Sequence, residues 1–465
     1  MDSYDLVVIG SGPAGRRAAV QAAKLGKSVL VVEGRKRVGG VSVHTGTIPS
    51  KTLRETVLNL TGWRERGFYG RSYRVKKEIG GQDLDHRIDK TLAYEVDVLE
   101  HQFQRNGVRT MEGFARFADP HSVIVTAPDG SEIAVRGARF LIAVGTVPFR
   151  PDYIPFDEDI VLDSDILIES PRVPRSLTVI GAGVIGIEYA TIFSALDVNV
   201  TLIEPRATFL DFIDREIIEE FVHQLRDRGM TIRLGATVTQ VAKDAGGSVV
   251  TTLDDGRAVR SEMLLFAAGR VGATTALGLE HCGLCVDGRG RLKVDPKTFQ
   301  TDVPHIYAAG DVIGFPSLAS TSMEQGRIAA CHAFDLPMPP APQYFPYGVY
   351  AVPEISTVGM SEQEVKDKKI PYECGIARFR ETSRGHIMGL DSGLMKMIFS
   401  IKSRRLLGVH IIGEGATELI HIGQAVLNLK GTIDYFMENS FNYPTLAEAY
   451  KIAALDAWNR MPMKG

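Results

Sequence analysis

Two short hydrophobic runs along the chain are each followed by the same glycine spacing. Residues 6–9 read LVVI and residues 177–180 read LTVI, and each run leads into G-x-G-x-x-G and then a helical pattern. A second apolar run follows in each half and ends at Glu33 or Glu204, in both cases 23 residues after the first glycine. A β-branched run, a glycine turn and an amphipathic stretch predict a strand–turn–helix unit. Its repetition in register predicts two α/β units of the same kind.

The two glycine turns have the spacing of a dinucleotide-binding unit. The first glycine permits the sharp turn, the second lets the backbone approach a diphosphate, and the third lets the helix pack on the strand. The helix start offers free N–H groups to the phosphates, and the acid at the next strand end accepts a hydrogen bond from a ribose hydroxyl. Two tight turns without a ligand are the alternative. The glycines concerned are Gly10, Gly12 and Gly15 in the first copy and Gly181, Gly183 and Gly186 in the second.

Each copy is followed by another buried-strand run that ends at a glycine. Residues 140–146 read FLIAVGT, which includes Gly145, and residues 264–270 read LLFAAGR, which includes Gly269. We expect these runs to complete each nucleotide-binding unit and to mark the crossings between domains. Two ordinary core strands are the alternative.

The pattern changes after residue 335. Five prolines within residues 336–346 favour an extended linker. Strand-like runs and then two amphipathic helices follow, without another glycine turn, which indicates an α+β domain. The predicted strands are 348–355, 395–400 and 406–412, and the predicted helices are 416–430 and one that begins near Thr445.

Composition narrows the classes of protein. The 465 residues include 53 Lys and Arg against 56 Asp and Glu, so the net charge is −3, with the two signs interspersed. This balance disfavours nucleic acid or an anionic membrane as a partner. The absence of an apolar stretch of about 18 residues argues against a membrane span. Only 4 cysteines, and an acidic start without a basic signal region, indicate a reducing cytoplasm and exclude a disulfide scaffold.

One segment resembles a known active site. Residues 39–51, GGVSVHTGTIPSK, are similar to the active-site segment of the flavoprotein disulfide reductase family, which includes dihydrolipoamide dehydrogenase and glutathione reductase. Residues 301–311 resemble the second flavin-contact motif of that family, and residues 351–359 and 443–448 resemble its interface motifs. The resemblance covers essentially the whole chain. It implies FAD at the first glycine turn, NAD or NADP at the second, and a homodimer built by the third domain.

The resemblance also implies the fold class and the remaining flavin contacts. The class is α/β, with two Rossmann-like dinucleotide-binding domains and a C-terminal α+β dimerisation domain. At the flavin, the resemblance adds Gly40 and Gly310, and Asp311 would bind the ribityl chain. The implied segments are 1–148 and 270–335 for the FAD-binding domain, 149–269 for the NAD(P)-binding domain, 336–346 for the linker and 347–465 for the dimerisation domain.

Three positions depart from the disulfide reductase pattern. Ser42 and Thr47 stand at the positions of the two redox cysteines, and Tyr443 stands where the family has the histidine that serves the thiol as acid–base. A hydroxyl neither cycles between dithiol and disulfide nor forms a thiolate. Tyrosine, with a free pKa of about 10, is a poor base at neutral pH. We therefore expect the disulfide chemistry to be absent while both nucleotide sites remain.

One branch of the family, the pyridine nucleotide transhydrogenases, is built in this way and passes hydride between NADPH and NAD. The segments TGTIPSK at 45–51, GDVIGFPSLA at 310–319 and FNYPT at 441–445 resemble that branch. We therefore expect an FAD-dependent oxidoreductase with a ping-pong cycle, in which NADP leaves before NAD enters the same site. An NAD(P)H:quinone reductase or diaphorase of the same fold is one rival, and a non-enzymatic redox-sensing subunit is another.

The resemblance assigns roles to two charged pairs. Lys51 would pair with Glu188 beside flavin N5 and place a positive charge there; ordinary positions on a helix surface and in a helix interior are the alternative. Glu204 favours the ribose 2′-hydroxyl of NAD and repels the 2′-phosphate of NADP, whereas Arg206 supplies a compensating charge. We expect dual use, with NAD favoured.

Three further site candidates have structural alternatives. Thr47 is expected to cap the helix that carries Lys51. Glu448 fits the capping box Thr445-x-x-Glu448 better than a catalytic role. Tyr443 either lines the flavin face from a partner subunit or packs in the interface.

Two chemically suggestive positions are expected to be inert. His44 lies in a loop, where a solvated or hydrogen-bonded imidazole is expected. The C-x-x-C at residues 282–285 does not open a helix after a strand, so we expect neither redox nor metal chemistry from it. No metal site is predicted.

Overall fold

A computed structural model describes residues 1–169, 172–337 and 343–462. The first part of the chain supplies six of the seven strands of a mixed sheet, with helices around it. Its elements are β1 (Asp2–Ile9), α1 (Pro13–Lys24), β2 (Val29–Glu33), α2 (Gly40–His44), α3 (Thr47–Leu60), α4 (Arg66–Tyr69), α5 (Gly81–Arg105), β3 (Arg109–Glu112), β4 (Phe114–Asp119), β5 (Ser122–Thr126), β6 (Glu132–Ile142) and β7 (Thr146–Pro148).

The next part forms a parallel five-stranded sheet, with a small antiparallel sheet beside it. Its elements are β8 (Val161–Asp163), α6 (Ser164–Glu169), β9 (Ser176–Ile180), α7 (Val184–Ala195), β10 (Asn199–Glu204), α8 (Arg215–Asp227), β11 (Thr231–Leu234), β12 (Val238–Lys243), β13 (Val249–Leu253), β14 (Ala258–Ser261), β15 (Met263–Phe266) and β16 (Arg270–Gly272). The parallel sheet has the order β11-β10-β9-β15-β8, and β12, β13 and β14 form the antiparallel sheet.

The chain then returns to the first sheet. After β16 come β17 (Ile306–Ala308) and α9 (Ala319–Ala333), and β17 pairs in parallel with β6. The first sheet therefore has the order β3-β2-β1-β6-β5-β4, with β17 on the second half of β6. An antiparallel ribbon of β7 and β16 forms the double crossing between the two sheets.

The last part is an antiparallel sheet covered by helices. Its elements are β18 (Tyr347–Val349), β19 (Ile355–Gly359), α10 (Glu362–Asp367), β20 (Tyr372–Arg378), α11 (Ser383–Met388), β21 (Leu394–Ser400), β22 (Leu406–Ile412), α12 (Ala416–Asn428), α13 (Ile433–Glu438) and α14 (Glu448–Trp458). The strand order is β18-β19-β22-β21-β20, and α12 and α14 bury their apolar residues against the sheet.

The predicted fold class is confirmed, with local corrections in the last part. The run at 348–355 was expected to be one strand, but it holds the end of β18 and the start of β19. Pro353 lies between them and has no N–H to donate to a ladder. Strand β20 and helix α13 were not predicted. Pro339, Pro340 and Pro342 of the predicted linker lie outside the described residues, and we retain the domain boundaries as a proposal.

Strand register brings the predicted glycines to two sheet edges. Ile9 and Ala308 both pair with Ile142, so the turns that follow β1, β6 and β17 meet at one edge of the first sheet. Ile180 pairs with both Ile203 and Phe266, which does the same for β9, β10 and β15 in the second sheet. Ligands of open parallel sheets bind at this carboxyl edge. Among the described residues, no helix is both long and apolar enough to cross a membrane.

Candidate active site

The first glycine turn has no room for side chains. Gly10 has φ +100°, and a Cβ on it would lie 2.4 Å from the carbonyl oxygen of Ala143. A Cβ on Gly15 would lie 1.9 Å from the carbonyl oxygen of Gly10, so only glycine lets α1 pack on β1. Gly12 faces open space, and no side chain caps α1. The first N–H groups of this helix are therefore left for an anionic ligand.

The second turn repeats this geometry. Gly181 has φ +101°, and a Cβ on Gly186 would lie 1.9 Å from the carbonyl oxygen of Gly181. Gly183 faces open space, and α7 likewise starts without a side-chain cap. Both copies are thus shaped for close approach of a diphosphate, in agreement with the sequence pattern.

The acid at each strand end is buried and hydrogen-bonded. Glu33 Oε2 accepts from the backbone N–H of Ser11 at 3.0 Å. Glu204 Oε2 accepts from Ala182 N at 2.8 Å, and its Oε1 accepts from Arg206 Nε at 2.7 Å. Burial alone would raise the pKa of Glu204, but the hydrogen bonds from Arg206 and the Ala182 N–H lower it below its ordinary value. Glu204 is therefore ionised when a nucleotide arrives.

A cavity of about 460 Å³, the first cavity, opens over the first turn. Its lining includes the predicted residues Gly10, Gly12, Glu33, Gly40, Ser42, Thr47, Gly145, Gly310 and Asp311. The Asp311 carboxylate accepts no hydrogen bond from the described residues, and burial raises its pKa. The N–H of Gly310 donates to Gln325 Oε1 at 2.9 Å and holds this turn in place. A half-buried carboxylate that faces the cavity without a protein partner fits the hydroxyls of a ribityl chain, so these residues fit FAD.

A larger cavity of about 1130 Å³, the second cavity, opens over the second turn. Its lining includes Thr47, Lys51, Gly181, Gly183, Glu188, Glu204, Arg206, Gly269 and Asp311. The two cavities share Val41, Thr47, Asp165, Asp311, Ser317 and Ala319. A ligand in the second cavity therefore reaches the ligand of the first without crossing solvent.

An ion pair lines the second cavity one helical turn after Thr47, which both cavities share. Lys51 Nζ lies 2.7 Å from Glu188 Oε2, and the N–H of Tyr350 donates to Glu188 Oε1 at 2.9 Å. Lys51 Nζ also lies 4.9 Å from the centre of the Tyr350 ring. Glu188 is only 4% exposed, whereas Lys51 reaches the cavity. The pairing expected from the resemblance is present, and it directs a cation toward the shared space.

The two hydroxyls at the cysteine positions face the cavities. Ser42 Oγ donates to the carbonyl oxygen of Gly39 at 3.1 Å. The expectation that Thr47 caps α3 is wrong: Gly46 is the N-cap residue, Thr47 is already helical, and no side chain caps this helix. Thr47 is thereby left at the boundary of both cavities.

Tyr443 and Glu448 lie elsewhere in the single chain. Neither lines the first or the second cavity; Tyr443 is 70% exposed, and its hydroxyl is hydrogen-bonded to Ser383. The predicted capping box is wrong, because Thr445 Oγ1 donates to the Asn442 carbonyl and α14 begins at Glu448 without a side-chain cap. Glu448 Oε2 is buried and has no hydrogen-bond partner among the described residues.

The remaining candidates are His44 and the two cysteines of the C-x-x-C motif. The His44 imidazole Nε2 lies 3.0 Å from the carbonyl oxygen of Val38, as a hydrogen-bonded histidine should. Cys282 is buried and Cys285 is exposed; both are free thiols, and neither lines a cavity.

Sequence reasoning missed a second ion pair at the junction. Arg270 Nη1 lies 2.7 Å from Asp165 Oδ1, and its Nη2 donates to the carbonyl oxygen of Thr146 at 2.8 Å. Both charged residues line the second cavity. The available signal was the arginine directly after Gly269. Nothing in the local sequence marked Asp165, because Asp165 on α6 meets Arg270 only through the ribbon of β7 and β16.

Comparisons with known proteins agree with this geometry. Residues 4–326 match the family model described as pyridine nucleotide-disulphide oxidoreductase, and residues 345–454 match the dimerisation domain of that family. Over 462 residues, the chain is 51% identical to the soluble pyridine nucleotide transhydrogenase of Mycobacterium tuberculosis (strain ATCC 25177 / H37Ra), covering 99% of this chain and 98% of the relative. It is 41% identical to the protein of that name from Colwellia psychrerythraea, covering 98% of each chain.

Solved structures share the fold. LpdA from Mycobacterium tuberculosis superposes with a TM-score of 0.88 at 26% identity, covering 98% of this chain and 99% of that one. The HOCl-induced flavoprotein disulfide reductase RclA from Escherichia coli superposes with a TM-score of 0.87 at 26% identity, covering 97% and 99%. With two dinucleotide cradles, adjoining cavities and the matched dimerisation domain, the chain belongs to the pyridine nucleotide-disulphide oxidoreductase family, whose members bind FAD and NAD or NADP.

Proposed function

We propose that this chain passes hydride from NADPH to NAD through bound FAD and without a redox-active disulfide. The observation that carries the proposal is the pair of hydroxyls, Ser42 and Thr47, in the cavity lining where a disulfide reductase needs two thiols. Both dinucleotide cradles are intact beside them. Full-length relatives at 40–51% identity are named soluble pyridine nucleotide transhydrogenase, which supports the same reading.

The residues around the junction have defined tasks in this reaction. Bound FAD supplies a two-electron carrier that takes hydride from one nicotinamide and returns it to another. Asp311 and the first glycine turn hold FAD, and the second turn holds the pyridine nucleotide. Lys51 keeps a positive charge at the junction, and Glu188 fixes its position from a buried site. The protein thus contributes orientation and electrostatics rather than a covalent group.

One nucleotide site serves both substrates in this proposal. Among the described residues, the second cavity is the one that combines Glu204, Arg206 and the second glycine turn. NADP must therefore leave before NAD binds, which is a ping-pong cycle. Arg206 beside Glu204 lets the same site accept a 2′-hydroxyl or a 2′-phosphate.

A second subunit completes the proposal. Tyr443 is exposed and Glu448 has a buried oxygen without a partner, and both belong to the part matched by the dimerisation domain. We propose that a homodimer covers this surface and brings Tyr443 toward the flavin of the other subunit. The cytoplasmic location and the absence of a nucleic-acid partner stay predictions.

The test is a direct assay of hydride transfer with the purified FAD-containing protein. NADPH is incubated with NAD, and chromatography separates and measures the NADH and the NADP that form. We expect NADH in amounts equal to the NADP formed, and no reduction of lipoamide or glutathione disulfide. Rapid reduction of a quinone with no NADH formed would favour the diaphorase alternative instead.

A further inference from the structure

The charged residues of the second cavity are almost all paired with one another. Four cationic side chains line it: Lys51, Arg206, Arg270 and Arg289. Three of them have a nitrogen 2.7 Å from a carboxylate oxygen, of Glu188, Glu204 and Asp165 respectively. Arg289 has no carboxylate within 4.0 Å in the described part of the chain. Its guanidinium is therefore the cation of this lining that no protein carboxylate neutralises.

The backbone of Arg289 is nevertheless held in place. Its N–H donates to Asp287 Oδ1 at 2.8 Å, and its carbonyl oxygen accepts from Gly272 N at 2.8 Å. The next residue, Gly290, has φ +69°, and its carbonyl oxygen accepts from Thr274 Oγ1 at 2.9 Å. Because the main chain is already ordered, binding an anion costs only the entropy of immobilising the Arg289 side chain.

The turn that carries Arg289 is anchored outside the nucleotide-binding sheet. Val286 and Leu292 pair across it, and Leu292 donates its N–H to the carbonyl oxygen of Val312 at 3.0 Å. Leu284 and Leu292 are buried in the core of the first sheet. Arg289 therefore lines the second cavity from a turn that is anchored on the core of the first sheet.

The position of Arg289 selects one part of the nucleotide. The Gly272 contact places Arg289 beside the end of β16, the strand that follows Gly269 and the end of β15. In the sheet order, β9 separates β15 from β10, whose end carries Glu204 and Arg206. The 2′ position of the adenosine ribose is read at that β10 end. Arg289 is thus closer to the diphosphate, which lies at the α7 start between the two.

We propose that Arg289 binds the diphosphate of the pyridine nucleotide in the second cavity. This inference rests on the proposed binding of NAD and NADP in that cavity. The diphosphate carries two negative charges that the α7 start meets only with partial charges. A planar guanidinium suits such a group because it donates two parallel hydrogen bonds. Because NADH and NADPH share the diphosphate, Arg289 serves both equally and does not discriminate between them.

The test is a titration of the FAD-containing protein with ADP-ribose, which has the diphosphate but no nicotinamide. We expect Arg289→Gln to weaken ADP-ribose binding about 10-fold or more, because a charge-assisted hydrogen bond is lost. Arg289→Lys keeps the positive charge and should weaken binding less. Adenosine binding should be unchanged, and KM for NADH and NADPH should rise by the same factor.

Arg291→Gln is the matched control, because Arg291 lies on the same turn but packs on Gly314 and does not line the cavity. Equal affinities for wild type and Arg289→Gln would overturn the inference, and so would equal losses in both glutamine variants, which would indicate a general charge effect. Failure of the wild-type protein to bind ADP-ribose would instead overturn the proposed nucleotide site.

Discussion

Arg206 Nε lies 2.7 Å from Glu204 Oε1, so the residue suited to a 2′-phosphate is ion-paired with the residue that repels one. Glu204 is buried at the strand end, whereas Arg206 is half-exposed and also lies 3.6 Å from Asp211. The guanidinium is therefore the mobile member of the pair. When it stays on Glu204 the site suits NAD, and when it turns to a 2′-phosphate the site suits NADP.

Substitutions of this pair should change the nucleotide preference in opposite directions. Arg206→Gln should lower kcat/KM for NADPH about 10-fold or more, because a charge-assisted hydrogen bond to phosphate is lost. The value for NADH should change little, and it serves as the internal control. Glu204→Gln should lower the ratio of kcat/KM for NADH to kcat/KM for NADPH. Steady-state kinetics with each nucleotide measures both effects, and an unchanged ratio in Arg206→Gln would contradict this account.

Loss of the Lys51 charge should slow hydride transfer without releasing FAD. Lys51→Met should lower the rate of flavin reduction by NADPH about 100-fold, in the range seen when a preorganised electrostatic group is removed. Lys51→Arg keeps the charge beside Glu188 and should retain much more of the rate. Stopped-flow absorbance measures the rate, and the FAD content per chain verifies the cofactor. A rate within twofold of wild type in Lys51→Met would remove this role.

Alkylation of thiols should leave activity intact, even after reduction by NADPH. Burial raises the pKa of Cys282 and of Cys331, and it raises the pKa of Cys374 to about 12. A raised thiol pKa keeps the unreactive neutral form over the physiological range. Cys285 is exposed but lines neither cavity. Iodoacetamide treatment followed by the hydride-transfer assay tests this, and inactivation that requires prior reduction would point to a redox thiol.

A buried lysine should dominate the stability of the contact between the second sheet and the last one. Lys396 is 1% exposed in β21, and its Nζ lies 3.0 Å from Asp214 Oδ1 and 3.0 Å from Glu216 Oε2. Glu362 is its third carboxylate partner. Lys396→Met should lower the free energy of unfolding at pH 7 by about 3–5 kcal/mol, because it leaves these carboxylates without their cation. Lys366→Met, on the exposed side of Glu362, should cost far less, because water screens an exposed ion pair.

The cost of Lys396→Met should shrink in acid. Burial opposes ionisation of Glu362, yet hydrogen bonds from Lys366 and Lys396 lower its pKa to about 2. Such a carboxylate stabilises the fold fully above its unfolded pKa, and this stability is lost as pH falls through the folded value. The pKa of Lys396 is raised, so its ammonium group loses its charge only in strong base and stays charged throughout the acid range. Unfolding curves at a fixed protein concentration between about pH 7 and 3 test this; a constant difference would contradict the ion-pair account.

The sequence by itself determined the two cofactor cradles. Residue type and spacing specify local backbone geometry directly. This geometry produces the glycine turns, the acids at the strand ends and the strand that closes each unit. The expectation that thiol chemistry is absent also came from the sequence alone, because the serine at 42 and the threonine at 47 carry hydroxyls in any fold. The local pattern gave a wrong prediction for Thr47, because the helix begins one residue earlier than a Thr47 cap requires and Gly46 is the N-cap residue.

Only the tertiary structure decided how these parts meet. Lys51 and Glu188 are separated by 137 residues, and their contact depends on two sheets that present their carboxyl edges to each other. The crossing ribbon carries Arg270, which pairs with Asp165, and its Gly272 holds the main chain of Arg289 at the second cavity. No local sequence pattern encodes this ribbon. Tyr443 and Glu448 lie outside the first and the second cavity in the single chain, although the sequence resemblance groups them with the site. Side chains brought together by packing over long distances leave no signal in local spacing, so the shared junction of the two cavities emerged only from the fold.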